Sequence, residues 1–203
     1  PVRAQQTPPL SWDQLDVEIA IQDNGDLLIT EEHVYQFKTG ATSSRFRSIP
    51  LARTDSIADV RVSEAGEVLE HAEITEGGRF WIRWHDPQPR RPSRTYVLHY
   101  RVVGALRVGD EETELAWEAV FPERDGPINA ATVTVRFPDS IDAHAVRHRS
   151  TGVRAERPRI TDAHSVEYRV LDPMLPGQSL TVYAQIPAQV LSPRMPQWQR
   201  EER

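Results

Sequence analysis

Apolar and polar residues alternate along most of this chain with a period of two, and that pattern predicts half-buried β-strands. In the first run Leu15, Val17, Ile19 and Ile21 share one face, with Asp16, Glu18 and Gln22 among their polar neighbours. Asp23-Asn24-Gly25-Asp26 follows, then Leu27 to Phe37 as a second strand. Asn-Gly between two β-type runs predicts a hairpin, because both residues tolerate positive φ.

The same punctuation recurs. Val60 and Val62 suggest a short strand ending at Glu64-Ala65-Gly66-Glu67, and Leu69 to Ile74 and Phe80 to Trp84 flank Glu76-Gly77-Gly78. Proline-rich His85 to Pro92 breaks the pattern, since proline cannot donate to a sheet ladder. Tyr96, Leu98, Tyr100 and Val102 then alternate cleanly. In the second half Thr113 to Phe121 reads two ways: Leu115, Trp117, Ala119 and Phe121 fit a strand, whereas Glu111, Glu112, Glu114 and Glu118 suit a helix. Val133, Val135 and Phe137, then Val166, Tyr168 and Val170, then Leu180, Val182, Ala184 and Ile186 are clearer strands. Turn signals at Asp125-Gly126-Pro127, Pro138-Asp139-Ser140 and Pro176-Gly177-Gln178 separate them. The expected fold class is all-β, as two tandem antiparallel β-sandwich units of Ig-like type. Their expected bounds are 12–105 and 106–191, with a flexible amino-terminal tail at 1–11 and a carboxyl-terminal linker or tail at 192–203.

Composition narrows the function classes. With 38% hydrophobic and 27% charged residues the chain reads as globular. A net charge of -6 opposes general affinity for nucleic acid or anionic lipid through net charge. Lys38 is the only lysine, and cysteine is absent, which excludes disulfides and thiolate metal sites. No stretch approaches the ~20 apolar residues that span a bilayer. The opening Pro1-Val2 is read as the result of an upstream segment having been removed, by signal-peptide cleavage or by choice of boundaries.

Taken in order, these features resemble a family of bacterial predicted membrane proteins known as domain of unknown function 2207. The resemblance rests on Asn24-Gly25-Asp26 followed by Leu28-Ile29-Thr30-Glu31-Glu32, and on Arg45-Phe46-Arg47-Ser48-Ile49-Pro50. It continues through Tyr96-Val97-Leu98-His99-Tyr100-Arg101-Val102, Glu114-Leu115-Ala116-Trp117 and Val133 to Pro138, and ends at Leu175-Pro176-Gly177-Gln178-Ser179-Leu180-Thr181-Val182. It covers residues 12 to 190. It implies a signal peptide, this β-rich ectodomain outside the cytoplasmic membrane, and one or more transmembrane helices in a segment this chain lacks. The Pro87 to Pro92 stretch and the absence of a tryptophan soon after Phe121 depart from the family pattern. The family supplies no catalytic residues to carry over.

Several constellations carry potential chemistry. Asp23-Asn24-Gly25-Asp26 holds oxygens of the kind calcium takes, but the EF-hand spacing is missing and a hairpin turn accounts for all four residues. Asp110, Glu111, Glu112, Glu114 and Glu118 form the densest acidic cluster. Carboxylates about five to ten ångströms apart hydrolyse glycosidic bonds; a solvated turn explains the same charges. Glu31 and Glu32 are adjacent on a strand, so their side chains point to opposite faces and do not make a pair. His144 and His148 on a strand stand roughly 13 Å apart at about 3.3 Å per residue. A zinc ion holds its ligands at about 2 Å, so these two and His164 read as surface histidines. Ser140 lies in a proline-led turn without a Gly-x-Ser-x-Gly elbow, and Glu76-Gly77-Gly78-Arg79 lacks the lysine of a phosphate-binding loop. No catalytic residue, cofactor or metal site is expected.

Phe80-Trp81-Ile82-Arg83-Trp84 is the most informative stretch. On a strand, Phe80, Ile82 and Trp84 face the core and leave Trp81 outward, stacked on Arg79 or Arg83. Trp81, Arg83 and Arg79 are therefore the candidate partner-binding residues, since tryptophan and arginine dominate interface hot spots. Covering a sheet edge or a seam is the purely structural account of the same ring. Two functions follow: a non-catalytic ectodomain that binds or positions an envelope protein or glycan, or a carbohydrate- or cell-wall-binding or glycan-hydrolysing module.

Overall fold

A computed structural model describes residues 10–38, 43–85, 92–188, 190–191 and 193–202. The strands are β1 (Leu10–Ile21), β2 (Leu27–Phe37), β3 (Ser44–Pro50), β4 (Ser56–Glu64), β5 (Glu67–Leu69), β6 (His71–Glu76), β7 (Arg79–His85) and β8 (Ser93–Val103). After them come β9 (Leu106–Val108), β10 (Glu112–Val120), β11 (Ile128–Arg136), β12 (Arg147–Gly152), β13 (Arg159–Asp162), β14 (Ser165–Arg169) and β15 (Leu180–Pro187). A 3-10 turn at Ala143–Ala145 and a short helix α1 (Gln197–Glu201) are the helical elements among the described residues. The all-β expectation holds.

The hairpin turns form where the chemistry put them. Gly25 sits at φ 87 between β1 and β2, and Gly77 and Gly78 at φ 60 and 72 join β6 to β7. Both are conformations that a Cβ disfavours. Thr113 to Phe121 resolves as strand: Leu115, Trp117 and Ala119 are buried while Glu114, Ala116 and Glu118 lie half-exposed on the other face of β10.

Among the described residues three sheets result. The largest has eight strands in the order β13-β14-β11-β1-β2-β8-β4-β5, the second runs β12-β15-β10-β9, and the third β3-β7-β6. Register places the core residues of the large sheet on one face: Val17 stands between Glu31 on β2 and Val133 on β11, and Val133 opposes Tyr168 on β14. Against that face the four-stranded sheet packs at one end, with the Tyr168 hydroxyl donating to Tyr183 O at 2.9 Å. The three-stranded sheet packs at the other, with the Trp84 and Tyr96 rings 5.6 Å apart. The opposite face carries Asp16, Glu18, Thr30, Glu32, Thr132 and Thr134 and stays polar.

Two tandem sandwiches meeting at 105/106 are not what these sheets build. β1 pairs in parallel with β11, from Trp12 opposite Ile128 to Ala20 opposite Arg136, so one sheet draws strands from both halves. The core is correspondingly continuous, joining Leu15, Tyr96 and Ile82 to Trp117, Val133 and Leu180. A period of two records which face of a strand is buried; it is silent about which strand lies alongside.

The ends also differ from expectation. Leu10 and Ser11, assigned to a flexible tail, already belong to β1, and Leu10 is buried. Residues 1–9 and 86–91, with most of the proline-rich stretch, lie outside the described residues. The described part of the carboxyl-terminal segment is docked: the Trp198 indole N–H donates to Gly104 O at 2.6 Å, and Gln199 is buried. Its docking groups are a tryptophan and a side-chain amide outside any strand, which leave no periodic trace.

Candidate functional site

β7 crosses the middle of the three-stranded sheet and divides its residues between two faces. Ile82 and Trp84 are buried and Phe80 packs partly against the core, so Trp81 and Arg83 face outward. Trp81 is half-buried, with its ring centroid 5.6 Å from that of Phe46 on β3. The Arg83 guanidinium lies 5.3 Å from the Trp81 ring centroid, within cation–π range. Trp81 Nε1–H also donates a long 3.4 Å hydrogen bond to Glu76 O. Trp81 and Arg83 thus form an amphipathic pair on the outward face, and Phe46, packed against the core with its ring centroid 6.1 Å from that of buried Phe121, closes the edge of that pair.

Arg79 takes a different course. Its guanidinium donates to Glu118 Oε1 at 2.7 Å and approaches Glu123 Oε2 at 3.1 Å, and Nε donates to Ser48 Oγ at 3.1 Å. Ser48 Oγ in turn donates to Glu123 at 2.8 Å. This network ties the edge strand β3 and β7 to the end of β10, beside the patch and separate from it.

Beneath lies a charged cluster that sequence reasoning missed. Glu31, His33 and Arg47 are wholly buried. Arg47 Nε donates to both Glu31 oxygens, at 2.8 and 3.1 Å, and Nη2 donates to Glu118 O at 3.0 Å. His33 Nε2–H donates to Glu31 Oε2 at 2.8 Å, and the Tyr100 hydroxyl donates to Glu31 Oε1. The rings of Trp12 and Trp84 flank His33 at 4.7 and 6.0 Å. Burial alone would raise the Glu31 pKa, but Arg47, His33 and Tyr100 outweigh it and hold the carboxyl at about 2. Burial and the Glu31 charge push the Tyr100 hydroxyl well above its usual value, so it remains a donor. A sealed carboxylate with so low a pKa is a poor base, and the cluster works as a bridge between the large and the three-stranded sheets. A signal for it was present: Glu31 and His33 share the parity of Leu27, Ile29, Tyr35 and Phe37, the inward face of β2.

The acidic cluster does not converge. Glu112 pairs with Arg147, Glu114 with Arg53 at 3.8 Å and Glu118 with Arg79. Glu114 and Glu118 lie four residues apart along β10, about 13 Å in a strand, beyond the separation of glycosidase carboxylates. The histidines are spread as well: His144 Nδ1 lies 2.9 Å from Asp142 Oδ1, His148 Nε2–H donates to Ala143 O at 2.9 Å, and His164 Nδ1–H donates to Ile141 O at 2.8 Å. Among the described residues no group of three or more metal-capable side chains comes together. Asp23 to Asp26 is a closed turn, with Gln22 N–H donating to Asp26 O and Gly25 N–H to Gln22 O, each at 2.9 Å.

Comparison with known proteins adds a family and a fold. A sequence profile described as "Predicted membrane protein (DUF2207) N-terminal domain" matches residues 11–186. No curated protein matches the chain. Among solved structures, yeast LTA4 hydrolase in complex with bestatin is similar at a TM-score of 0.59 and 9% identity, over 90% of this chain and 31% of that one. A putative protease from Parabacteroides distasonis is similar at a TM-score of 0.51 and 9% identity, over 87% of this chain and 40% of that one. The chain spans well under half the length of these neighbours, and at such identity the likeness establishes the fold alone. No helix among the described residues is long and apolar enough to cross a membrane.

Proposed function

The chain belongs to the family of predicted membrane proteins whose amino-terminal domain is DUF2207, and we propose that it acts there as a non-catalytic extracytoplasmic module that binds or positions an envelope partner. The observation that carries this reading is the outward pair of Trp81 and Arg83, with the Phe46 ring beside Trp81. An indole beneath a guanidinium, on a sheet face rather than in a cleft, suits a flat partner surface or a sugar ring. Arg79 braces the strand beside the patch, because its pairing with Glu118 and Glu123 fixes the end of β7. The hydrolase and protease names of the structural neighbours describe chains two to three times longer and lend this module no chemistry of their own.

Capture from envelope extract tests the reading, with the wild-type chain compared with a Trp81→Ala, Arg83→Ala variant. Aromatic and arginine anchors contribute about 2 kcal/mol each where they are hot spots, so capture of the specific protein or glycan falls more than tenfold in the variant. Equal capture by both chains would remove this face from the reading. A glycan eluted from the wild type alone would favour the carbohydrate-binding version of the same module.

A further inference from the structure

The segment after β15 is held at one end of the molecule by groups from three separate loops. Asp55, just before β4, accepts Gln197 N–H at 2.9 Å and Trp198 N–H at 3.2 Å through its two oxygens. Gly104 O accepts from the Trp198 indole, and the Gln199 amide bonds both the N–H and the C=O of Val108 on β9. Pro193 lies so close to Gly25 that a Cβ there would stand 2.5 Å from the proline Cβ. The segment is clasped to the end of the body that carries the β1–β2 turn.

Between segment and body lies a cavity of about 580 Å³, lined by Asn24, Asp26, Asp55, Arg101, Arg194 and Arg200 among others. Its charges are unevenly satisfied. Asp55 is occupied by the two helix N–H groups; Asp26 Oδ2 accepts from Asn24 at 3.1 Å and meets Arg101 at 3.5 Å; Arg101 pairs with Asp59 at 2.9 Å. Arg194 and Arg200 line the same cavity, and their guanidinium groups make no hydrogen bond or ion pair with the described residues. Two unpaired guanidinium groups beside an open cavity suit an anion, and their planar forks match phosphate oxygens.

The family profile describes the amino-terminal domain of a membrane protein, which places the rest of such a protein beyond this segment. Resting on that membrane-linked reading, we propose that the end of the molecule formed by the β1–β2 turn, Gly104 and the docked segment faces the bilayer, and that Arg194 and Arg200 bind the phosphate of an anionic phospholipid headgroup. Clasping the segment then fixes the angle at which the domain stands on the membrane and turns the Trp81 patch in a set direction. The net charge of -6 opposes adsorption of the molecule as a whole, so binding depends on this local pair rather than on the overall field.

The test is co-sedimentation of the 203-residue chain with phosphatidylcholine vesicles, with and without phosphatidylglycerol. An Arg194→Ala, Arg200→Ala variant is compared with a charge-matched Arg159→Ala, Arg169→Ala control at the far edge of the large sheet. Binding is expected only with phosphatidylglycerol, to fall roughly tenfold or more in the first variant and to hold in the control. Both arginines of the first variant are exposed, so its melting temperature should match the wild type. Equal binding to both vesicles, or an equal fall in the control, overturns the site. Inorganic phosphate bound with the same arginine dependence, without vesicle binding, overturns the lipid assignment in favour of a soluble anion. The Trp81→Ala, Arg83→Ala variant should sediment as wild type, so failure here leaves the partner-binding reading standing, and the reverse.

Discussion

A carboxylate inside a β-core is tolerable only when donors replace the water it has lost, and Glu31 meets that condition with Arg47, His33 and Tyr100. Removing its charge leaves Arg47 buried and uncompensated. Glu31→Gln is expected to cost about 3–5 kcal/mol in unfolding free energy, measured by denaturant titration. The same cluster sets an acid dependence. Its pKa drops from 4.5 to about 2 on folding, so the folded protein binds fewer protons than the unfolded chain between those values. The stabilisation is therefore complete above pH 4.5 and is lost as pH falls through about 2, an effect on the order of 3 kcal/mol. Thermal midpoints taken down this range should fall more steeply for wild type than for Glu31→Gln; parallel curves would deny Glu31 the role. The parity of Glu31 and His33 made their burial readable in the sequence. Their partners were not, because Arg47 lies 16 residues away and Tyr100 lies 69 away.

At the scale of elements, sheet edges decide what must be covered. β9 is the last strand of the four-stranded sheet, and an unpaired edge is a template for unwanted pairing. Gln199 occupies it by bonding Val108 N at 2.8 Å and Val108 O at 2.6 Å, as a neighbouring strand would. Gln199→Ala should abolish both bonds at a cost of about 1–2 kcal/mol and raise hydrogen exchange at the Val108 amide, with the β1–β2 core amides unchanged. Unchanged exchange at Val108 would show that the edge needs no such cover. The hairpins were legible because Asn24-Gly25 and Gly77-Gly78 specify backbone conformation within a few residues. β10 was ambiguous because its glutamates at 112, 114 and 118 suit the outward face of a strand and a helix alike. Packing of Leu115, Trp117 and Ala119 into the core decides for the strand.

At the scale of the whole molecule, the parallel pairing of β1 with β11 makes the two halves of the chain one folding unit. Separate chains ending at 105 and beginning at 106 should each lack cooperative unfolding, whereas the intact protein should melt in a single transition by circular dichroism. Two independent transitions would mean that the shared sheet is dispensable. The sequence alone determined that the chain is all-β, which face of each strand turns inward, where the tight turns fall, that Trp81 points outward from β7, and the family to which the chain belongs. Each depends on steric preference or periodicity acting within about ten residues, or on turn motifs in a fixed order. Long-range packing set the rest: that β1 lies beside β11, that Arg79 turns to Glu118 while Arg83 stays on Trp81, and that the carboxyl-terminal segment docks against Gly25 and Gly104. Those outcomes come from burying one continuous apolar surface and pairing the charges trapped beneath it. Such gains are won between residues far apart in the chain, where local pattern carries no record of the neighbour.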